Sequence, residues 1–144
     1  MNNIESNKNI VQRFNKEVIE QGNISSFNEL MDSKFINRSA PPTSNDSASM
    51  WHTFNNILRP AFPDLKVEIY EQIAEGDKVT TRKAIVGTHL GNLLNIPATN
   101  KKIKIDVIDI VRIQNAKYAE HWGINNFQSV IEELRKASET SDAV

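Results

Sequence analysis

From Leu65 onward the apolar positions fall on every second residue. Leu65, Val67 and Ile69 alternate with Lys66, Glu68 and Tyr70, the pattern of a strand with one face in a core. Before that point the period is helical. Ile10, Val11, Phe14 and Val18 predict a first helix over Asn7 to Gln21, capped by Ser6 and stopped by Gly22. Phe27, Leu30 and Met31 predict a short helix from Ser25 to Met31, and Lys34 to Asn37 an extended entry. After a polar loop from Ser39 to Asp46, the residues Met50, Trp51, Phe54, Ile57 and Leu58 predict a third helix over Ser47 to Arg59. Pro60 ends it, since a residue before proline avoids helical geometry. Glu75-Gly76-Asp77 marks a turn, and strands follow over Lys78 to Leu90 and Lys102 to Ile113, joined by the loop Gly91 to Lys101. Gln114-Asn115-Ala116 is a tight hairpin turn in which Asn115 takes positive φ. The last strand spans Lys117 to Ile124. Phe127, Val130, Ile131 and Leu134 share one side of a closing helix over Phe127 to Lys136, and the polar tail Ala137 to Val144 is expected to be mobile.

Helices segregated from a hairpin-built sheet mean an α+β fold, here one domain over residues 1–144. N-terminal helices packed in a strongly curved antiparallel sheet, with a C-terminal helix, would form a cone-shaped barrel whose open end can hold a ligand.

Charge and composition narrow the partners. Seventeen basic and 18 acidic residues give a net charge of −1, with no basic stripe for nucleic acid and no polybasic block for a membrane surface. The absence of cysteine removes disulfides, thiolate catalysis and sulfur-ligated metals, and fits a cytoplasmic location. No apolar run approaches the roughly 20 residues that span a bilayer, and Met1 to Gln12 has no apolar segment typical of a signal peptide. His52, His89 and His121 show no ligand spacing, so no metal is expected.

Several residues invite a chemical reading beside a plainer one. Asp109 sits mid-strand among Ile108, Ile110 and Val111. If it faces inward it is a base with a raised pKa, or else a structural partner of Arg82 or Arg112. Arg82 and Lys83 point to opposite faces. Because lysine is almost never buried unpaired, Lys83 is expected in water and Arg82 in the cone or at a subunit contact. Trp122 shares a face with Glu120 and Ile124, as a pocket wall or as core. His121 is expected on the outer side, with Ala119 and Gly123. His89 at a strand end would line the mouth, and Trp51, Phe54 and Leu58 serve as core or ligand box.

Together the segments Phe35 to Pro42, Ala61 to Leu65, Ala74 to Arg82, Gly87-Thr-His-Leu-Gly91, Ile96-Pro-Ala-Thr99, Ile108-Asp-Ile-Val-Arg112 and Glu120-His-Trp122 carry a family pattern. In this ordered set the chain resembles the SnoaL-like polyketide (ester) cyclases of the nuclear transport factor 2-like superfamily. The resemblance implies a deep, mostly apolar pocket, no metal, no organic cofactor, and homodimers formed through the sheet. It implies an enzyme that closes a ring on a small apolar carbonyl compound by intramolecular aldol chemistry. A base removes an acidic C–H proton and a donor holds the enolate oxygen. Family acids directly after Glu-His-Trp and three residues later are replaced here by Gly123 and Asn126. An amide is no base, so the resemblance leaves Asp109 as the catalytic carboxylate, Asn126 and Arg82 as polar orienters, and Trp122, Asn37 and Ile124 among the substrate-binding residues. The alternative is a non-catalytic small-molecule-binding or dimerising module that has lost the acid.

Overall fold

A computed structural model describes residues 3–142, with side chains described to residue 139. Helix α1 (Asn3–Arg13) starts one turn earlier than its capping signal predicts and runs into a π-helical segment, Phe14–Glu20. Gly22 then reverses the chain at φ 68°, and the Asn23 side chain accepts from Ser26 N–H to cap α2 (Ile24–Leu30). Strand β1 (Met31–Asn37) follows at once. A 3-10 turn at Pro42–Ser44 leads to α3 (Ser47–His52), capped by Asp46, then to a second π segment, Thr53–Leu58, and to α4 (Arg59–Ala61). Pro60 therefore does not end the helical path. It is the second residue of α4, directly after the π segment, and the helix continues through it to Ala61.

The rest is sheet and one long helix: β2 (Lys66–Glu75), β3 (Lys78–Thr88), β4 (Lys102–Gln114), β5 (Lys117–Asn125) and α5 (Phe127–Asp142). Helix α5 continues through most of the tail expected to be mobile; Ala143 and Val144 lie outside the described residues. The strand order is β1-β5-β4-β3-β2. Three hairpin-type pairings are antiparallel, but β1 joins β5 in parallel, so the curved sheet is mixed rather than antiparallel. Gly76-Asp77 and Asn115-Ala116 make two-residue turns, the second with positive φ at both positions.

The sheet's concave face alternates cleanly. On β4, Ile103, Ile105, Asp109, Val111 and Ile113 are buried, while Lys104, Asp106, Ile108 and Ile110 are exposed. The helices fill this face with Val11, Phe14, Val18 and Leu30. Phe14 stacks on Tyr118, ring centroids 4.1 Å apart.

The loop after β3 is clamped down. A Cβ on Gly91 would collide with the backbone carbonyl of Pro60, and the Leu90 and Gly91 amides both donate to Ala61 O. Gly91→Ala should therefore cost about 3 kcal/mol, near the top of the overpacking range, because backbone rather than a flexible side chain blocks the methyl. A urea denaturation midpoint checks this; an unchanged midpoint refutes the clamp.

Candidate active site

The concave face ends in a cavity of about 200 Å³. Its walls include Ile19 and the second π segment's Thr53, Phe54 and Leu58, with Ile85, Ile105, Val107 and Phe127 opposite. π-helical turns recur at functional sites because they displace side chains from the regular helical register. Here both such segments supply cavity walls.

Three ionisable side chains interrupt the apolar lining: Lys83 from β3, Asp109 from β4 and His121 from β5. Asp109 and Lys83 are each only 5% exposed. They are diagonal neighbours, since Thr81 pairs with Asp109 and Lys83 with Val107. Lys83 Nζ lies 3.4 Å from Asp109 Oδ2, and His121 Nε2 lies 3.3 Å from that same oxygen. Lys83 also donates to Asn15 Oδ1 at 2.6 Å, and Asn15 Nδ2 donates to Val11 O at 2.8 Å. His121 Nδ1 stands 3.0 Å from Asn37 Oδ1. Asp109 Oδ1 is buried and makes no hydrogen bond to the protein.

Ser39 N–H donates to Asn37 Oδ1, which orients the amide with its oxygen towards His121 Nδ1. The other ring nitrogen, Nε2, faces Asp109 Oδ2, so the imidazole bridges Asn37 and the carboxylate.

Burial pushes the Asp109 carboxyl up, but Lys83 and His121 outweigh it and hold the group below its ordinary value of 3.8. A carboxyl depressed on folding contributes stability that is fully present above its unfolded value and is lost as pH falls through the folded one. Wild type should thus lose stability below about pH 4 more steeply than Asp109→Asn. Denaturation midpoints across the acid limb test this, and parallel curves would contradict it.

Gly123 makes the His–Asp contact possible. It pairs directly with Asp109 across the ladder. A Cβ there would lie 2.9 Å from His121 Cε1 and 3.3 Å from Asp109 Cβ. The missing side chain is the space in which the imidazole reaches the carboxylate.

Of the residues singled out from the sequence, Asp109, Asn37, Phe54 and Leu58 meet at the cavity. The others lie elsewhere. Arg82 is on the outer face, 2.7 Å from Glu71 Oε1 and stacked over Tyr70. The inward place is taken by Lys83, whose burial is tolerated because it is paired. Trp122 and Ile124 also face outward, because His121, Gly123 and Asn125 occupy the inward phase of β5; Ile124 is 70% exposed. Trp51 packs on Phe27 beneath Arg59. His89 is fully buried, with Nδ1 3.0 Å from Thr99 Oγ1, and pins the loop after β3 rather than lining the mouth. Burial lowers its pKa. Asn126 accepts from Asp106 N–H at 2.8 Å, and its carbonyl accepts from Val130 N–H in α5, so it organises the strand-to-helix turn.

Sequence reasoning missed Lys83 and His121. A signal existed: Lys83 and Asp109 each interrupt an otherwise apolar phase of adjacent strands, and each such charge asks for a partner. Among the described residues, no group of three or more His, Cys, Asp or Glu side chains is placed to hold a metal ion.

Comparison with known proteins bears on this geometry. A proposed polyketide cyclase from Acidithiobacillus ferrooxidans has a crystal structure matching with TM-score 0.80 at 27% identity, over 95% of this chain and 99% of that one. TsrD from Streptomyces laurentii matches with TM-score 0.79 at 19% identity, over 93% and 97%. AclR, a proposed hydroxylase from Streptomyces galilaeus, matches with TM-score 0.80 at 22% identity, over 92% and 83%. The last two speak to the fold alone. No curated protein matches the chain. The family model described as SnoaL-like polyketide cyclase matches residues 9–134. With the α+β cone and this coverage, the chain belongs to the SnoaL-like polyketide cyclase family.

Proposed function

We propose that this protein is an enzyme of the polyketide-cyclase type that acts on a small apolar carbonyl compound by general acid–base chemistry in the cavity. The observation that carries the reading is the state of Asp109. One carboxylate oxygen receives both Lys83 and His121, while the other is buried with no donor. Native structures rarely leave such an oxygen unpaired without a functional reason. An acidic C–H on a bound ligand supplies what Oδ1 lacks, and proton removal there begins an aldol closure. The site uses Asp109 as base and His121 to position it. A cavity of about 200 Å³ lies below the usual range for drug-sized ligands, so the substrate is compact.

The test is proton exchange. Purified protein in heavy water, given a panel of aryl 1,3-dicarbonyl esters, should speed deuterium entry at the acidic carbon, read by NMR. Asp109→Asn should abolish the effect.

A second reading has its own support. Lys83 and His121 hold the Asp109 carboxyl low, which weakens it as a base. The cavity is then a binding site without turnover, and saturable ligand binding with no exchange selects this reading.

The outer face of the sheet favours self-association. Ile73, Ile108, Ile110 and Ile124 are exposed there, on three strands. Patches of this kind mark contacts. We expect a homodimer through the sheet, with a solution mass near twice 16.3 kDa by sedimentation. Ile124→Glu should return it to one copy, and a wild-type monomer at high concentration removes the proposal.

A further inference from the structure

The buried cation is loosely paired. Lys83 Nζ stands 3.4 Å from Asp109 Oδ2, and His121 Nε2 approaches that same oxygen at 3.3 Å, so the carboxylate is shared between two partners. Asn15, the other partner of Lys83, is neutral. Lys83 is the one lysine or arginine among the cavity-lining residues. A buried charge held this loosely gains from a closer counter-charge.

Lys83 also has bonding capacity to spare. An ammonium has three N–H donors. Two are directed to Asn15 Oδ1 at 2.6 Å and Asp109 Oδ2 at 3.4 Å. We propose that Lys83 is an oxyanion-binding residue. Its remaining donor and its loosely paired charge select a compact, planar, apolar ligand bearing an anionic oxygen, whether a phenolate, an enolate or a carboxylate. This shares with the proposed function the assumption that the cavity is the ligand site, but it does not depend on turnover. If turnover occurs, Lys83 is the electrophile. As the C–H bond breaks, its proton goes to Asp109, its electron pair forms the enolate, and the negative charge arrives on the oxygen that Lys83 holds. The charge leaving Asp109 and the charge arriving on the ligand both lie beside one ammonium, so the buried charge balance is kept throughout.

The probe is 4-nitrophenolate above its own pKa, with 4-nitrotoluene as its neutral isostere. Both bindings are measured by ligand-observed NMR. Wild type should bind the phenolate about ten- to a hundredfold tighter than the isostere, the range of a charge-assisted hydrogen bond in a dry site. Lys83→Met should lose that preference, and Lys83→Arg should keep most of it. If Lys83→Met does not fold, the double variant Lys83→Met/Asp109→Asn removes both buried charges and should show no preference. Equal phenolate affinity in wild type and Lys83→Met overturns the proposal, as does a wild-type preference for the isostere. A borohydride-trapped adduct on Lys83 with a carbonyl ligand overturns it too, since it would assign the amine a covalent role. Deuterium exchange by wild type without a Lys83-dependent preference leaves the proposed function standing and removes this one. The preference without exchange does the reverse.

Discussion

Lys83→Met alone should destabilise the protein by about 3–5 kcal/mol, and adding Asp109→Asn should recover much of that loss. The reason is the asymmetry between breaking a buried pair and removing it. With Lys83 gone, the Asp109 carboxylate stays buried with His121 as its remaining partner, and Asn15 Oδ1 loses its donor. Both residues are almost fully buried, so water compensates either group poorly. With the carboxylate also replaced, the penalty shrinks to imperfectly paired amides of about 1–3 kcal/mol. The pair itself, at 3.4 Å between Nζ and Oδ2, is too long to be credited with much net stabilisation. Urea denaturation of wild type, both single variants and the double variant gives a full mutant cycle. A double variant that loses the sum of the two single losses would show that Lys83 and Asp109 are uncoupled.

The same pair explains what the sequence could and could not reveal. Elements were legible because their signals are local. The apolar period placed β3, β4 and β5 to within two residues, and Gly22, Gly76 and Asn115 all adopt the positive φ expected of chain reversals. The parity of each strand was legible too: His121 against Trp122, and Lys83 against Arg82. The phase was not. A parity argument says that neighbours point oppositely, but only contacts from other strands say which of them points inward. Lysine's general avoidance of the interior pointed to Arg82, and the one circumstance that reverses it, a carboxylate diagonal on the next strand, depends on a register that the sequence does not state. The bulge between Arg112 and Ile113 hid the phase of β5 further, because Tyr118 and Ala119 are both buried there. Parallel pairing of β1 with β5 is likewise non-local, yet it places Asn37 opposite His121 and so sets the imidazole's orientation. Gly123 was read as the loss of an acid. In the fold it is the gap through which His121 meets Asp109.

Asp109→Asn should lower the rate of proton exchange at a substrate's acidic carbon about 10²- to 10⁴-fold, the contribution typical of a positioned general base. An amide is nearly isosteric with the carboxylate, so the cavity keeps its shape while the proton acceptor disappears. The apparent weakness of a carboxylate held low by Lys83 and His121 does not defeat this expectation. A carbonyl oxygen that draws on Lys83 takes part of the cation's field away from Asp109. Its proton affinity then rises as negative charge develops on the substrate. The effect should therefore appear in turnover more than in binding, with kcat falling while KM stays within a few-fold. His121→Gln should fall between wild type and Asp109→Asn, because it leaves the carboxylate but loses the imidazole that positions it. If Asp109→Asn exchanges protons as fast as wild type while binding ligand equally well, the base lies elsewhere. The buried oxygen without a donor would then be a cost of packing rather than a catalytic device.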